Sequence, residues 1–368
     1  MAAMSHAALH ARGTVLAIAL LMIPMALAAD PVRVGVAGLT HGHVNEILRY
    51  DGDEIEVVGI AESDPVVIEK YRMKYGFSMD MVYGSVAELI DAKQPDVVAA
   101  YNAISEHRAV VEEAARHGVH VMVEKPLAFS MEDARAMKAA ADSGGIHLLT
   151  NYQPTWWSAV HEAKRIVDSG QIGDIRKLVV HDGHRGPQEI GVGPEFFAWL
   201  TDPDKNGGGA LIDFGCYGAD LGTWLMNGAR PIAVTATTQR IKPHIYPNVD
   251  DEATIVVEYP EAQLIIQASW NWPFSRKDMA VYGAKGYVTQ DSPTKVSVRL
   301  PGEDTPTSRD LEWREAPYAN PFSYLAAVIH GDVDPAGSLS GLDTNMMVVE
   351  ILDAARESVR VGARIKLR

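Results

Sequence analysis

The chain has 368 residues, of which 47% are hydrophobic and 22% charged, and a formal net charge of -15. At roughly 150 residues per domain that length predicts two hydrophobic cores, and the composition excludes a disordered chain. The negative balance repels a phosphate backbone, which excludes nucleic acid as a partner, and the single cysteine, Cys216, excludes an internal disulfide.

At the N-terminus, Arg12, an apolar run from Thr14 to Leu27 and the stretch Ala26-Leu27-Ala28 read as an export signal cut after Ala28 or Ala29. The run is too short to span a bilayer and follows one arginine rather than a twin pair, which predicts Sec-type export to the periplasm or beyond, with no stable membrane insertion. Translation from Met25 would delete the signal and give a cytoplasmic protein.

Beyond the signal (1–29), residues 30–150 alternate short apolar runs with amphipathic stretches, the pattern of βαβ units around a doubly wound parallel sheet. Strands are expected at 33–37, 55–60, 97–100, 119–123 and 147–149, with helices at 64–75, 106–117 and from Ser130 as N-cap to 141. Over 151–368 the pattern predicts an α+β unit: a helix at 158–168, another after Gly207-Gly208-Gly209, a mostly antiparallel sheet over 231–300, and helices at 322–329 and 344–361.

The segment Gly38-Leu39-Thr40-His41-Gly42-His43 stands between the first strand and the next helix, where a dinucleotide fingerprint belongs. Thr40 occupies the second glycine position, and Gly42 precedes the third. Glu62, at the end of the second strand, is placed to accept from ribose hydroxyls and to repel a 2′-phosphate, which favours NAD over NADP. His41 and His43 pose a metal pair, but with no third ligand near them in the sequence no metal is expected.

Glu124-Lys125-Pro126 puts a lysine at the carboxyl end of a buried strand, and the proline restricts it. Further on, Asp213, Tyr217 and Asp220 share one stripe of the helix approached by the three glycines.

On these residues, together with Asp168 to Gly173, Tyr282 to Gly286 and Ser358 to Gly362, nearly the whole mature chain resembles the glucose-fructose oxidoreductase, inositol dehydrogenase and rhizopine catabolism family. The resemblance implies a Rossmann domain followed by a substrate and assembly domain, a sugar or polyol oxidised at CH–OH, and a homodimer or homotetramer. It implies catalytic roles for Lys125 and Asp213, and it puts Tyr217 where the family usually has a histidine. A hydride can leave an alcohol carbon only if the hydroxyl proton also leaves, so Tyr217 is expected to be the acid/base, activated by Lys125. The resemblance also implies nucleotide contacts from Asn102, His107 and Glu124, with Tyr101-Asn102 replacing the family's Thr-Pro, and a sugar site near Trp156, His184 and Arg185. Two rivals remain: an NAD-dependent glycosidase working by transient oxidation and elimination, and a non-catalytic sugar or nucleotide sensor.

Overall fold

The computed structural model describes residues 30–367, and the expected export signal lies outside them. The first sheet has six parallel strands, β1 (Val32–Ala37), β2 (Ile55–Ala61), β3 (Val82–Tyr83), β4 (Val97–Ala100), β5 (His120–Glu124) and β6 (Leu148–Asn151), in the order β3-β2-β1-β4-β5-β6. β4 is buried throughout and β1 and β5 nearly so, which is why they read as unbroken apolar runs rather than alternating ones. The connecting helices are α1 (Val44–Ile47), α2 (Pro65–Tyr75), α3 (Val86–Lys93), α4 (His107–Arg116) and α5 (Met131–Gly144). Ser130 caps α5 through the Asp133 amide, as the sequence predicts, and Asp64 caps α2. β3 and α3 were not predicted, and the helix opened by the glycine loop is only one turn long. Strand order reverses between β1 and β4, so the carboxyl ends of these two strands form the crevice where open α/β sheets bind ligands.

After α6 (Ser158–Asp168) comes a nine-stranded sheet. Its strands are β7 (Ile175–Gly183), β8 (Ala233–Gln239), β9 (Glu252–Glu258), β10 (Gln263–Ser269), β11 (Arg276–Gly283), β12 (Tyr287–Ser292), β13 (Lys295–Arg299), β14 (Thr307–Asp310) and β15 (Ile365–Lys366). The order is β14-β13-β12-β11-β7-β10-β9-β8-β15, antiparallel except where β7 meets β10. The sheet is thus mostly antiparallel, as expected, but it starts at β7 rather than near residue 231, and that early strand lies at its centre. Between β7 and β8 run α7 (Pro187–Ile190), α8 (Pro194–Leu200), α9 (Pro203–Asn206), α10 (Ala210–Asp213) and α11 (Gly215–Leu225).

One face of this sheet, with Leu178, Val180, Ile255, Val257, Leu264 and Ile266, packs into a core shared with Leu221 and Leu225 of α11. The chain then returns to the first sheet. α12 (Pro321–Ile329) adds Phe322, Leu325 and Val328 to the core around Val34, Val36 and Ile60, while α13 (Leu342–Val361) gives Val348, Ile351 and Leu352 to one core and Val349 to another. Among the described residues no helix is long and apolar enough to cross a membrane.

The three-glycine run is a fitted turn rather than the flexible approach its composition predicts. Gly207 ends α9 at φ +82°, and a Cβ on Gly209 would fall 1.8 Å from the Asp250 carbonyl oxygen. The Asp250 carboxylate accepts from the amides of Gly209 (2.9 Å) and Leu211 (2.7 Å), closing the start of α10. Gly209→Ala is therefore expected to destabilise the protein by about 2 kcal/mol or more. An unchanged denaturation midpoint would show that the Asp250 turn yields freely.

Candidate active site

The crevice at the carboxyl ends of β1 and β4 is a cleft of about 430 Å³, lined by Gly38, Thr40, Glu62 and Asn102 together with Glu106 and Glu113. Gly38 has φ +78°, and a Cβ there would lie 2.7 Å from that of Asn102, so only glycine fits the turn. Glu62 is held by the amides of Leu39 (3.0 Å), Ser63 (2.8 Å) and Asp64 (2.9 Å), which fixes a carboxylate at the end of β2. A tight glycine turn beside a fixed acid suits the adenosine half of NAD. No basic side chain lines the cleft to balance a 2′-phosphate.

The other residues expected at the nucleotide, His41, Gly42, His107, Glu124 and Lys125, do not line this cleft. Gly42 faces the Phe196 ring rather than the cleft. His107, at the start of α4, is fully buried: its Nδ1 lies 3.1 Å from the Leu127 carbonyl oxygen, and burial lowers its pKa to about 4. This neutral histidine supports the turn after Pro126 through Nδ1, while its buried Nε2 has no hydrogen-bond partner among the described residues.

Past Thr40 the loop dives inward. His43 Nδ1 lies 2.9 Å from Glu124 Oε2, Asn151 donates to Glu124 Oε1 (2.9 Å), and Trp156 Nε1 donates to Asn151 Oδ1 (3.2 Å). Trp156 is therefore the last link of a buried polar chain and packs on Tyr324, so it is no sugar platform. Burial alone would raise Glu124, but His43 and His41 outweigh it and hold the carboxyl down at about 2. Burial likewise opposes the charged form of His43, and Glu124 reverses that, raising the imidazole. His41, packed between Phe196 and Trp199, is lowered well below its ordinary value by burial.

Glu124 also supplies the third group that the sequence did not show beside the histidines, with the three ligand atoms within 4.8 Å of one another. The hydrogen bonding works against a cation there. His41 Nδ1 accepts the His43 amide at 3.1 Å, so the neutral ring keeps its proton on Nε2, the atom a metal would need.

Glu124 ends β5, and the chain turns at the cis Lys125–Pro126 peptide. Lys125 and Asp213 are each 7% exposed, and the Lys125 ammonium donates to Asp213 Oδ1 (2.5 Å) and to the Asp213 carbonyl (3.1 Å). That carbonyl is available because α10 stops at Asp213 and α11 starts two residues later. Trp270 Nε1 donates to Asp213 Oδ2 at 3.0 Å. Burial opposes charge on both groups, yet each partner outweighs it for the other: Lys125 is raised and Asp213 lowered. An ammonium has three N–H donors, and two are taken, so the third is left for a substrate oxygen.

Tyr217 stands beside this pair, but its activation by Lys125 is corrected by the geometry. The ammonium lies 5.2 Å from the centre of the ring, and the phenol is raised well above its ordinary value, first by burial and then by Asp182. Lys277, from β11, is closer to the ring, at 4.0 Å. His184 packs edge-on against Phe214 and is lowered by burial, whereas Arg185 is exposed and engages Lys242 only through its carbonyl. Sequence reasoning missed Asn151, Trp270 and Lys277, and Glu124 was expected only as a nucleotide contact.

The pair's role is separable from its stability. Lys125→Met strands a buried carboxylate and is expected to cost about 3–5 kcal/mol. Adding Asp213→Asn should restore much of that stability and none of the catalysis. Equal stability of the single and double variants in urea titrations would refute the coupling.

A tight glycine turn at the end of β1, a fixed carboxylate at the end of β2 and a buried, paired ammonium at the end of β5 are the arrangement of a nicotinamide-dependent oxidoreductase of the Rossmann class. Residues 32–152 match the profile of the oxidoreductase family with an NAD-binding Rossmann fold, and residues 160–289 match the GFO/IDH/MocA C-terminal domain. The chain belongs to this family of NAD-binding oxidoreductases. It is 28% identical over 256 residues to trans-1,2-dihydrobenzene-1,2-diol dehydrogenase of Xenopus laevis, covering 68% of this chain and 72% of that one. It is 24% identical over 330 residues to D-apiose dehydrogenase of Rhizobium rhizogenes, covering 84% and 90%. Among solved structures, an inositol dehydrogenase homologue from Azotobacter vinelandii complexed with NAD+ superposes with TM-score 0.80 at 18% identity, over 92% of this chain and 98% of that one. The aldose-aldose oxidoreductase of Caulobacter crescentus complexed with glycerol gives 0.77 at 24%, over 92% and 100%. These two likenesses establish the shared fold.

Proposed function

We propose that the protein oxidises a CH–OH group of a sugar or polyol, or reduces the corresponding carbonyl, using NAD. The observation that carries this reading is the third N–H of the buried Lys125 ammonium, at the carboxyl end of β5 and two strands from the glycine turn at the end of β1. When bound, the nicotinamide supplies the hydride acceptor. Gly38, Thr40, Asn102 and Glu62 hold the adenosine half, while Lys125 binds the reacting oxygen and Asp213 keeps that ammonium charged and aimed. The diol and apiose dehydrogenases among its relatives support substrates carrying neighbouring hydroxyls.

A panel of aldoses, cyclitols and acyclic polyols, read by absorbance of reduced nicotinamide, tests the reading, with mass spectrometry of whatever co-purifies. Turnover with NAD on at least one polyol is expected. Aglycone release from a glycoside without net reduced cofactor would favour the elimination chemistry instead. Glu62→Gln should weaken NAD binding about tenfold and narrow the preference over NADP, as loss of a charged hydrogen-bond acceptor does.

The outer face of the second sheet carries Val179, Val256, Ile265 and Ala280, alternating with core residues and only partly buried. We take this face to meet a second copy, giving a dimer or tetramer, and the mature chain to begin near Asp30 in the periplasm. Intact mass and sedimentation of protein from separated cell fractions check both. A chain retaining Met1 and sedimenting as a monomer would overturn them.

A further inference from the structure

Antiparallel pairing of β7 with β11 sets Asp182 opposite Lys277. Lys277 Nζ lies 3.7 Å from Asp182 Oδ2 and 4.0 Å from the centre of the Tyr217 ring, so one ammonium touches both groups. Asp182 is 2% exposed, and its Oδ1 has no hydrogen-bond partner among the described residues. Such an oxygen is costly to keep and calls for a role. Oxidation of an alcohol needs a proton acceptor, and the neighbouring groups are already committed. Both Asp213 oxygens accept hydrogen bonds, Lys125 is held as an ammonium, and the Cys216 thiol is pushed up by burial. His184 accepts the Gly186 amide at Nδ1, so its neutral ring carries the proton on Nε2.

Building on the oxidoreductase reading above, we infer that Asp182 is where the substrate's hydroxyl proton comes to rest, passed on by the Tyr217 hydroxyl, with Lys277 balancing the charge. The Tyr217 hydroxyl makes no hydrogen bond to Asp182 Oδ1 in the structure, so the relay requires it to turn onto that oxygen when substrate binds. The alcohol O–H bond then breaks and its proton bonds to the Tyr217 oxygen, as that oxygen gives its own proton to Asp182 Oδ1. The O–H electron pair becomes the second C–O bond while the hydride leaves carbon for the nicotinamide. Asp182 ends neutral, Tyr217 is unchanged, and the reverse sequence serves reduction. Tyr217 thus conducts a proton without becoming a phenolate, which its burial forbids.

Asp182 is tuned for this. Burial raises it, Lys277 and then Lys125 lower it, Asp213 raises it, and the outcome is about 7. Tyr217 and Cys216 of α11 face it as neutral groups, and β10 places the uncharged Ala268 beside it. The acceptor must be ionised for oxidation, so kcat/KM should fall as pH drops through about 7.

Infrared difference titration of the full-length protein, which needs no turnover, should show a carboxylic-acid C=O band titrating near pH 7. The band should be absent from Asp182→Asn and moved to higher pH in Lys277→Met, because removing the cation favours the neutral acid. NAD affinity by calorimetry should stay unchanged in both variants. On the substrate found above, Asp182→Asn should be slower by about 10²-fold and lose the acidic limb, and Lys277→Met should shift that limb alkaline. A band and limb unaffected in either variant overturn the assignment, and Lys277→Met decides alone if Asp182→Asn does not fold. Wild-type protein that binds no NAD and turns over no polyol would instead sink the oxidoreductase reading and this inference together.

Discussion

The site is organised by one ion pair buried between elements 88 residues apart in the chain. Lys125 leaves the first sheet at the cis peptide, and Asp213 closes α10 above the second. Their contact registers the two sheets where chemistry must occur. Desolvating two charges is expensive, and the arrangement persists only because nearly every remaining lone pair is met: Trp270 on Asp213 Oδ2, and Lys125 itself on the backbone carbonyl freed by the helix break. A pair of this kind adds little net stability but fixes a geometry, since any relaxed alternative leaves one charge alone in a dry interior.

Around it the structure keeps a second polar chain, from His43 through Glu124 and Asn151 to Trp156. It follows from the departures in the glycine loop. Where a third glycine would admit close helix–strand packing, His43 stands instead, and its ring reaches Glu124 on β5. The one-turn α1 contributes little dipole of its own, so the fixed features of the cleft are the Gly38 turn and the Glu62 carboxylate rather than a long helix.

Periodicity and capping made much of this readable in advance. The buried strands of a parallel sheet are continuous apolar runs, and α2 and α6 lie where periodicity puts them, while α5 starts after its Ser130 cap but runs to Gly144, three residues past the expected end. β3 is two residues long and carries no pattern to detect. β7 escaped because its buried alternation of Leu178 and Val180 ends on the charged Asp182, where the pattern calls for an apolar residue. The site was legible where a local motif carries it, as at Lys125 and Asp213. It was illegible where partners are distant in sequence, as with Glu124 and His43, 81 residues apart, or Asp213 and Trp270, 57 apart. Trp156 and His107 show the converse: residue type and family position were right, but the face each presents was decided by packing that no local pattern records.

The twenty residues of α13 lie along both architectures at once, lodging Val348 and Ile351 in one apolar interior and Val349, one step round the same helix, in another. A rigid rod shared in this way acts as a strut. Neither layer can melt without stripping the other of side chains it relies on, so heating should give a single cooperative transition, and no fragment ending before Leu342 retains two closed interiors.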